Sequence, residues 1–212
     1  TCIAVLILTA LAASAAAQQI ALQQIILPAP NTSGGKPLMQ ALDDRHSARE
    51  FSDQKLSTQT LSNLLWAAFG VNRTDGRRTA PSAMNWQETD IYVTFPEGAY
   101  VYDAKAHALN PVAAGDLRGA TGTQPFPATA ALNLVYVADM AKAGRSATDP
   151  QQQLNVGADV GVIVQNAYLF CASEGLGTVV RASVNKTELA KVLKLRPDQQ
   201  IVLAQSIGYP KK

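Results

Sequence analysis

The chain has 212 residues, 47% hydrophobic and 16% charged, a balance that fits one globular domain with a sizeable core. A formal net charge of +2 from scattered basic residues, with aromatic side chains at only 6%, argues against a nucleic-acid surface or a stacking platform. Two histidines cannot build a histidine-rich metal site, and no HExxH, G-x-S-x-G or P-loop pattern occurs, which weighs against metalloenzymes and hydrolases.

Residues 3–13 are apolar, and Ser14-Ala15-Ala16-Ala17-Gln18 supplies the small residues of an A-x-A cleavage site. That run is too short for a good transmembrane helix. Residues 1–17 therefore read as a secretory signal peptide whose basic start is missing, since no Lys or Arg precedes Lys36. An N-terminal apolar arm is the alternative. The expected location is periplasmic or extracellular. Loss of Cys2 would leave Cys171 alone, in an apolar run that suits a small core residue better than a nucleophile. Residues 18–36, with Pro28, Pro30 and Gly34-Gly35, read as a flexible tether to a single domain at 37–212.

Leu38, Met39 and Leu42 share one face of a short predicted helix that begins after Pro37 and ends near Arg45. Ser57 can cap a second helix, in which Leu61, Leu64, Leu65, Ala68 and Phe69 have the spacing of a buried face and Gly70 is a stop. Trp66 is expected to pack beside that face. Residues 70–87, GVNRTDGRRTAPSAMNWQ, then make a long loop rich in small hydrogen-bonding groups. Loops of that length are functional or disordered, and a strand directly after this one argues for function. Arg77 and Arg78 suit an anionic substrate or a partner chain, but equally a solvated loop.

Residues 89–95 alternate, with Ile91, Val93 and Phe95 on one side, and a turn at Pro96-Glu97-Gly98 leads to strands at 99–103 and near 108. His107 is expected to be exposed in that meander. The apolar run LNLVYVA at 132–138 predicts a central strand. Asp149-Pro150 starts a helix that runs to Glu174 and stops at Gly175. Apolar around most of its circumference, with Gly157, Ala158 and Gly161 inside it, this helix is expected to be buried on nearly all sides, in part across a subunit interface. A strand at 178–181, a helix opened by the capping-box-like Asn185-Lys186-Thr187-Glu188, and a strand at 201–207 complete the chain. That order predicts an α+β or mixed α/β fold rather than a doubly wound sheet.

Arg45-His46-Ser47-Ala48-Arg49 sets two guanidiniums around a hydroxyl, a group that can bind phosphate; a solvated charged turn is the other reading. Here a family enters. Arg45-His46-Ser47-x-Arg49-x-Phe51 resembles the R-[RH]-S-x-[RK]-x-F motif that opens the FMN-dependent nitroreductase family, and Ala80-Pro81-Ser82-x-x-Asn85-x-Gln87 resembles its A-P-S-x-x-N-x-Q. Residues 132–139 resemble its central strand, residues 159–175 its interface helix leading into A-x-x-G-L-G, and Ile207-Gly208-Tyr209-Pro210 its closing GYP. The middle, with Tyr100-Val101-Tyr102-Asp103 and Gly115-Asp116-Leu117-Arg118, is more like the branch of SagB-type oxidases of peptide azoline rings.

The resemblance implies a mixed, mainly antiparallel sheet flanked by helices, in a homodimer with FMN at the interface. Arg45 and Ser47, with His46 between them, would hold the FMN phosphate and ribityl chain, and Arg49 would lie near the N1/O2 edge. Pro81, Ser82, Ala83 and Asn85 would reach the flavin from the partner subunit, with Trp86 a further candidate. Gln124 would address the pyrimidine edge, the backbone at Ala182 and Ser183 would present an N–H to N5, and Lys211 or Lys212 would add a phosphate cation. The family often has Glu-Gly where this chain has Ala182-Ser183, a departure that bears on the substrate side. No side chain is an evident general acid and no metal is implied, so the chemistry would be carried by the flavin. The implied reaction is ping-pong, from a hydride donor such as NAD(P)H to an electron-poor small molecule. A SagB-type dehydrogenase or oxidase, and a non-catalytic exported flavin-binding protein, are the alternatives.

Overall fold

The structure, a computed structural model, describes residues 22–143 and 149–211. The proposed signal peptide and Lys212 lie outside the described residues. Within them, seven strands form one sheet: β1 (Ile25–Ile26), β2 (Thr89–Thr94), β3 (Gly98–Asp103), β4 (Ala108–Ala114), β5 (Leu132–Asp139), β6 (Gly177–Arg181) and β7 (Gln199–Gly208). Their order is β1-β4-β3-β2-β5-β7-β6, and each neighbouring pair runs antiparallel. Four α-helices accompany them: α1 (Leu38–Asp44), α2 (Thr58–Phe69), α3 (Pro150–Glu174) and α4 (Lys186–Val192). The expected α+β architecture holds.

β5 is buried along its whole length because it must face apolar layers on both sides. Leu132, Leu134 and Tyr136 point to the layer built by Leu61, Leu64 and Phe69 of α2 and Val160 and Ile163 of α3. Val135 and Val137 point the other way, to Leu189 and Leu193 at α4. Each such side chain contributes about 1.5–3 kcal/mol of transfer free energy. The helix ends follow local chemistry. Ser57 Oγ accepts from Thr60 N at 3.0 Å, Asp149 accepts from Gln151 N at 3.0 Å, and Gly175 closes α3 at φ 69°, a left-handed value that suits glycine. Gly70 acts differently from a left-handed stop. Its backbone is extended, and a Cβ there would lie 2.4 Å from Trp66 Cδ1, so glycine lets Trp66 fold back to donate to Val71 O at 3.0 Å.

Two expectations need correction. Residues 22–36 are not a free tether: Ile25 and Ile26 pair with Leu109 and Ala108, Leu27 is buried, and Asn31 N donates to Asn63 Oδ1 at 2.8 Å. The prolines and glycines bend this arm around the body rather than releasing it. His107 is not exposed but ties the arm down. Ser62 Oγ donates to Pro28 O at 2.6 Å, so it accepts from His107 Nε2 at 2.7 Å, and His107 Nδ1 then accepts from Tyr102 O–H at 2.9 Å. Burial lowers the imidazole pKa, in keeping with that neutral tautomer. Within its own chain α3 is covered on one side. Val156, Val160, Ile163 and Ala167 are buried, while Leu154, Gly157, Gly161 and Val162 form an open stripe.

Ser62→Ala removes the hydroxyl shared by Pro28 and His107. It is expected to cost about 1–3 kcal/mol in urea unfolding and to speed protease cleavage within residues 22–36.

Candidate functional site

The strap from Arg45 to Phe51 follows α1 and is held by main-chain bonds to two later elements. Ala48 N donates to Thr178 O of β6 at 2.9 Å, Phe51 bridges Pro210, and Lys211 N donates to Glu50 O at 3.2 Å. The first motif and the GYP end therefore lie side by side although about 160 residues separate them in sequence. Tyr168 of α3 fixes the strap from below. Its hydroxyl bonds Ser47 Oγ at 3.0 Å and accepts from Val180 N at 2.9 Å, and its ring lies 5.5 Å from Arg45 Cζ. Arg49 and Lys211 are exposed and make no side-chain hydrogen bond or ion pair among the described residues. His46 turns its Nδ1 to Asp44 O at 2.8 Å. Beside the strap a cavity of about 370 Å³ is lined by His46, Tyr168, Leu176, Thr178 and Pro210. Arg45 and the Ser47 hydroxyl on the strap, with Lys211 beside it, make a cationic corner that suits an anion such as phosphate.

A second group gathers at the end of β6. Gln124 Nε2 donates to Ser183 Oγ at 2.6 Å, and Thr123 N donates to Ser183 O at 3.0 Å. Two residues picked out far apart in the sequence thus form one wall. Behind it sits Arg181, buried and bonded to Thr121, Asn133 and Ser206.

The second motif follows a short hairpin in which Val71 bridges Arg78. Arg78 is structural: it donates to Gln87 Oε1 at 2.9 Å and Phe69 O at 3.1 Å, with Cζ 4.6 Å from the Phe69 ring centroid. Arg77 pairs with Asp75 at the surface. Beyond the hairpin the backbone is strained. Met84, Asn85 and Gln87 take φ values of 51°, 56° and 49°, a region L-residues avoid. Inner bonds hold them there: Gln87 N to Ser82 Oγ at 2.9 Å, Gln87 Nε2 to Asn85 Oδ1 at 3.1 Å, and Ala83 N to Asp159 Oδ2 at 2.8 Å. Pro81, Met84 and Asn85 are left facing outward. Among the described residues, no hydrogen bond, ion pair or ring contact joins residues 80–87 to the strap or to the Gln124–Ser183 wall.

The structure thus unites Arg45, Ser47, Arg49 and Lys211, and separately Gln124 and Ser183, but keeps Pro81, Ser82, Ala83 and Asn85 apart from both. Sequence reasoning missed Tyr168, Arg181 and Glu88. Tyr168 sits in an apolar helical pattern that marks it as core, and only its hydroxyl betrays a second duty. Glu88 follows the motif directly, yet it is fully buried, and neither carboxyl oxygen has a hydrogen-bond partner among the described residues.

Burial, and then the neighbouring Asp159, push the Glu88 pKa up to about 7. The folded chain therefore prefers protonated Glu88. The contribution of Glu88 to stability is fully present below about pH 4.5, the ordinary carboxyl value, and is lost as pH climbs to about 7. Glu88→Gln is expected to match the parent at pH 4 and to exceed it at pH 8 by up to about 3 kcal/mol, read by urea unfolding at the two pH values.

Known proteins fit this geometry. The nitroreductase family model matches residues 42–209. A provisionally named nitroreductase from Methanocaldococcus jannaschii is 32% identical over 169 residues, covering 75% of this chain and 85% of that protein. The crystal structure of a provisionally named nitroreductase from Ralstonia eutropha JMP134 superposes with a TM-score of 0.83 at 43% identity, covering 89% of this chain and 90% of that one. A Desulfovibrio desulfuricans protein of that name, solved in complex with FMN, shares the fold at 20% identity and a TM-score of 0.61, covering 84% and 89% of the two chains. With the strap, the left-handed loop and the GYP end all in place, this chain belongs to the nitroreductase family.

Proposed function

We propose that the chain is an FMN-dependent oxidoreductase, active as a homodimer, that moves reducing equivalents between a donor such as NAD(P)H and an electron-poor small molecule. The observation that carries this reading is the separation of two half-sites in one chain. The cationic strap and the loop with outward-facing Pro81, Met84 and Asn85 do not meet, so a complete site needs a second copy. The surface supports such a copy. Leu38 and Met39 of α1 are 63% and 75% exposed, and Leu154 of α3, the helix on which α1 packs, is 65% exposed. Apolar side chains of this size left in water mark an interface. A Cβ at Gly157 or Gly161 would meet nothing within 4 Å, which leaves room for a neighbouring backbone. The FMN complex of the Desulfovibrio desulfuricans relative supports the cofactor.

FMN, when bound, supplies reversible two-electron chemistry at N5. Arg45 and Lys211 would neutralise its phosphate and Ser47 would hydrogen-bond it. Arg49 would set a cation against the N1/O2 edge, and Gln124, fixed by Ser183, would address the pyrimidine edge. Pro81, Ser82, Ala83 and Asn85 would close the site from the partner. No side chain acts as a general acid in this scheme: the protein positions the flavin and shapes its electrostatics.

A second reading, flavin-dependent dehydrogenation with dioxygen as acceptor in the manner of SagB-type oxidases, draws on Ala182-Ser183 standing where Glu-Gly is usual. Substrate-dependent oxygen uptake without nicotinamide oxidation would favour it. Export to the periplasm or exterior, inferred from the apolar run at residues 3–13, also counts against a freely supplied nicotinamide.

The purified protein is expected to take up FMN and show flavin absorbance that anaerobic NADH or NADPH bleaches. Arg49→Ala should weaken FMN binding at least tenfold, about 1.4 kcal/mol. Met39→Glu should yield monomers by sedimentation and lose FMN with the same concentration dependence. A monomer that binds FMN as tightly as the parent would sink the shared site.

A further inference from the structure

Arg181 ends β6, one residue before the Ala182-Ser183 pair, and is 7% exposed. Its acceptors are all neutral: Ser206 Oγ at 2.8 Å from Nη1, and Thr121 O at 3.0 Å, Thr121 Oγ1 at 2.6 Å and Asn133 Oδ1 at 3.0 Å from Nη2. Its Nε is buried without an acceptor. Gly122 closes over it so tightly that a Cβ there would lie 2.5 Å from Nε, and the Phe126 ring centroid is 5.7 Å from Cζ. Among the described residues no carboxylate ion-pairs with Arg181. Burial lowers its pKa to about 10, which still leaves a full cation at neutral pH.

A buried charge with no counter-ion costs several kcal/mol, and an apolar or neutral polar side chain could fill the same space more cheaply. The network does hold residues 118–131 to the sheet, but hydrogen bonds alone do not require a cation. Lying out of water, this charge is also little screened by salt, unlike those on Arg49 and Lys211. It sits behind the Gln124–Ser183 wall, where the proposed function places the flavin ring.

We propose that Arg181 is a fixed positive charge that biases this pocket toward an anionic ring, stabilising reduced FMN over oxidised FMN from behind the Gln124–Ser183 wall. The inference rests on the FMN reading above. Two electrons and one proton taken up by a neutral oxidised ring leave one net negative charge on it, and the lone cation is the complement to that charge. Arg181 touches neither cofactor nor substrate in this account and acts through the field of its charge.

The test is the two-electron midpoint potential of FMN in the holoprotein, titrated anaerobically with dithionite against a reference dye, at 50 mM and 500 mM salt. Arg181→Met removes the charge. Asn133→Asp is isosteric and sets a carboxylate on Nη2 at the cost of the Asn133 Nδ2 bond to Pro127 O at 3.0 Å, neutralising the charge with the arginine still in place, its ionisation checked by the carboxylate band in the infrared. Both should lower the affinity for reduced relative to oxidised FMN by about tenfold, about 30 mV on a two-electron couple, at either salt concentration. Arg181→Lys should keep the parent potential. If Arg181→Met fails to fold, Asn133→Asp alone decides. A folded Asn133→Asp protein whose FMN titrates at the parent potential would overturn the role of Arg181 while leaving the flavin reading intact. A parent protein that takes up no FMN would overturn that reading and this proposal together.

Discussion

Two-sided burial of β5 is the constraint on which the rest of this structure depends. A strand with Leu132, Leu134 and Tyr136 on one face and Val135 and Val137 on the other cannot sit at an edge. It must have β2 and β7 as neighbours and a helical layer above and below, and those demands fix the sheet order outward from the centre. The helix covering one face, α3, then carries Tyr168 under the strap of residues 45–51 and Asp159 under the loop of residues 80–87. One helix thereby indexes the strap and the loop against the same core. Its remaining surface is the open stripe of Leu154, Gly157, Gly161 and Val162.

The candidate site divides by chemistry as well as by place. The strap beside Pro210 offers exposed cations and a hydroxyl, which suit a phosphate. The wall of Gln124 and Ser183 offers an amide and backbone groups, which suit the edge of a heteroaromatic ring. Behind the wall, Arg181 holds a charge that water does not reach. The exposed Arg49 and the buried Arg181 thus hold their charges in different surroundings.

Much of this was legible in the residues. Helix α2 could be read from Ser57 to Phe69 because a capping hydroxyl and an unbroken apolar spacing agree, and α3 because Asp149-Pro150 and Gly175 mark both ends. The strap and the loop were legible as motifs, since each needs particular side chains in a row. What escaped were contacts that depend on tertiary placement. His107 lies in a hairpin that any sequence reading puts in water, and only the arm folding back over it buries the ring. Residues 22–36 have the composition of a linker, yet two strand pairings and Leu27 suffice to anchor them. Arg181 ends an apolar strand, and nothing local tells whether a carboxylate will meet it. Glu88 hides for a similar reason, because its burial is imposed by α3, which begins more than 60 residues later.

The left-handed residues Met84, Asn85 and Gln87 have a consequence for how this protein can vary. Each holds a conformation that glycine or asparagine adopts freely and β-branched residues resist. A β-branched substitution at any of them would add strain, although Met84 and Asn85 lie at the surface, where substitution is ordinarily cheap. Glycine there would ease the strain but surrender the fixed geometry that strain maintains. On the function proposed above, stability and function pull in opposite directions over these few residues. A lineage that gave up the chemistry would be expected to show it here first, as relaxed turns in place of a strained one, while the core around β5 stayed unchanged.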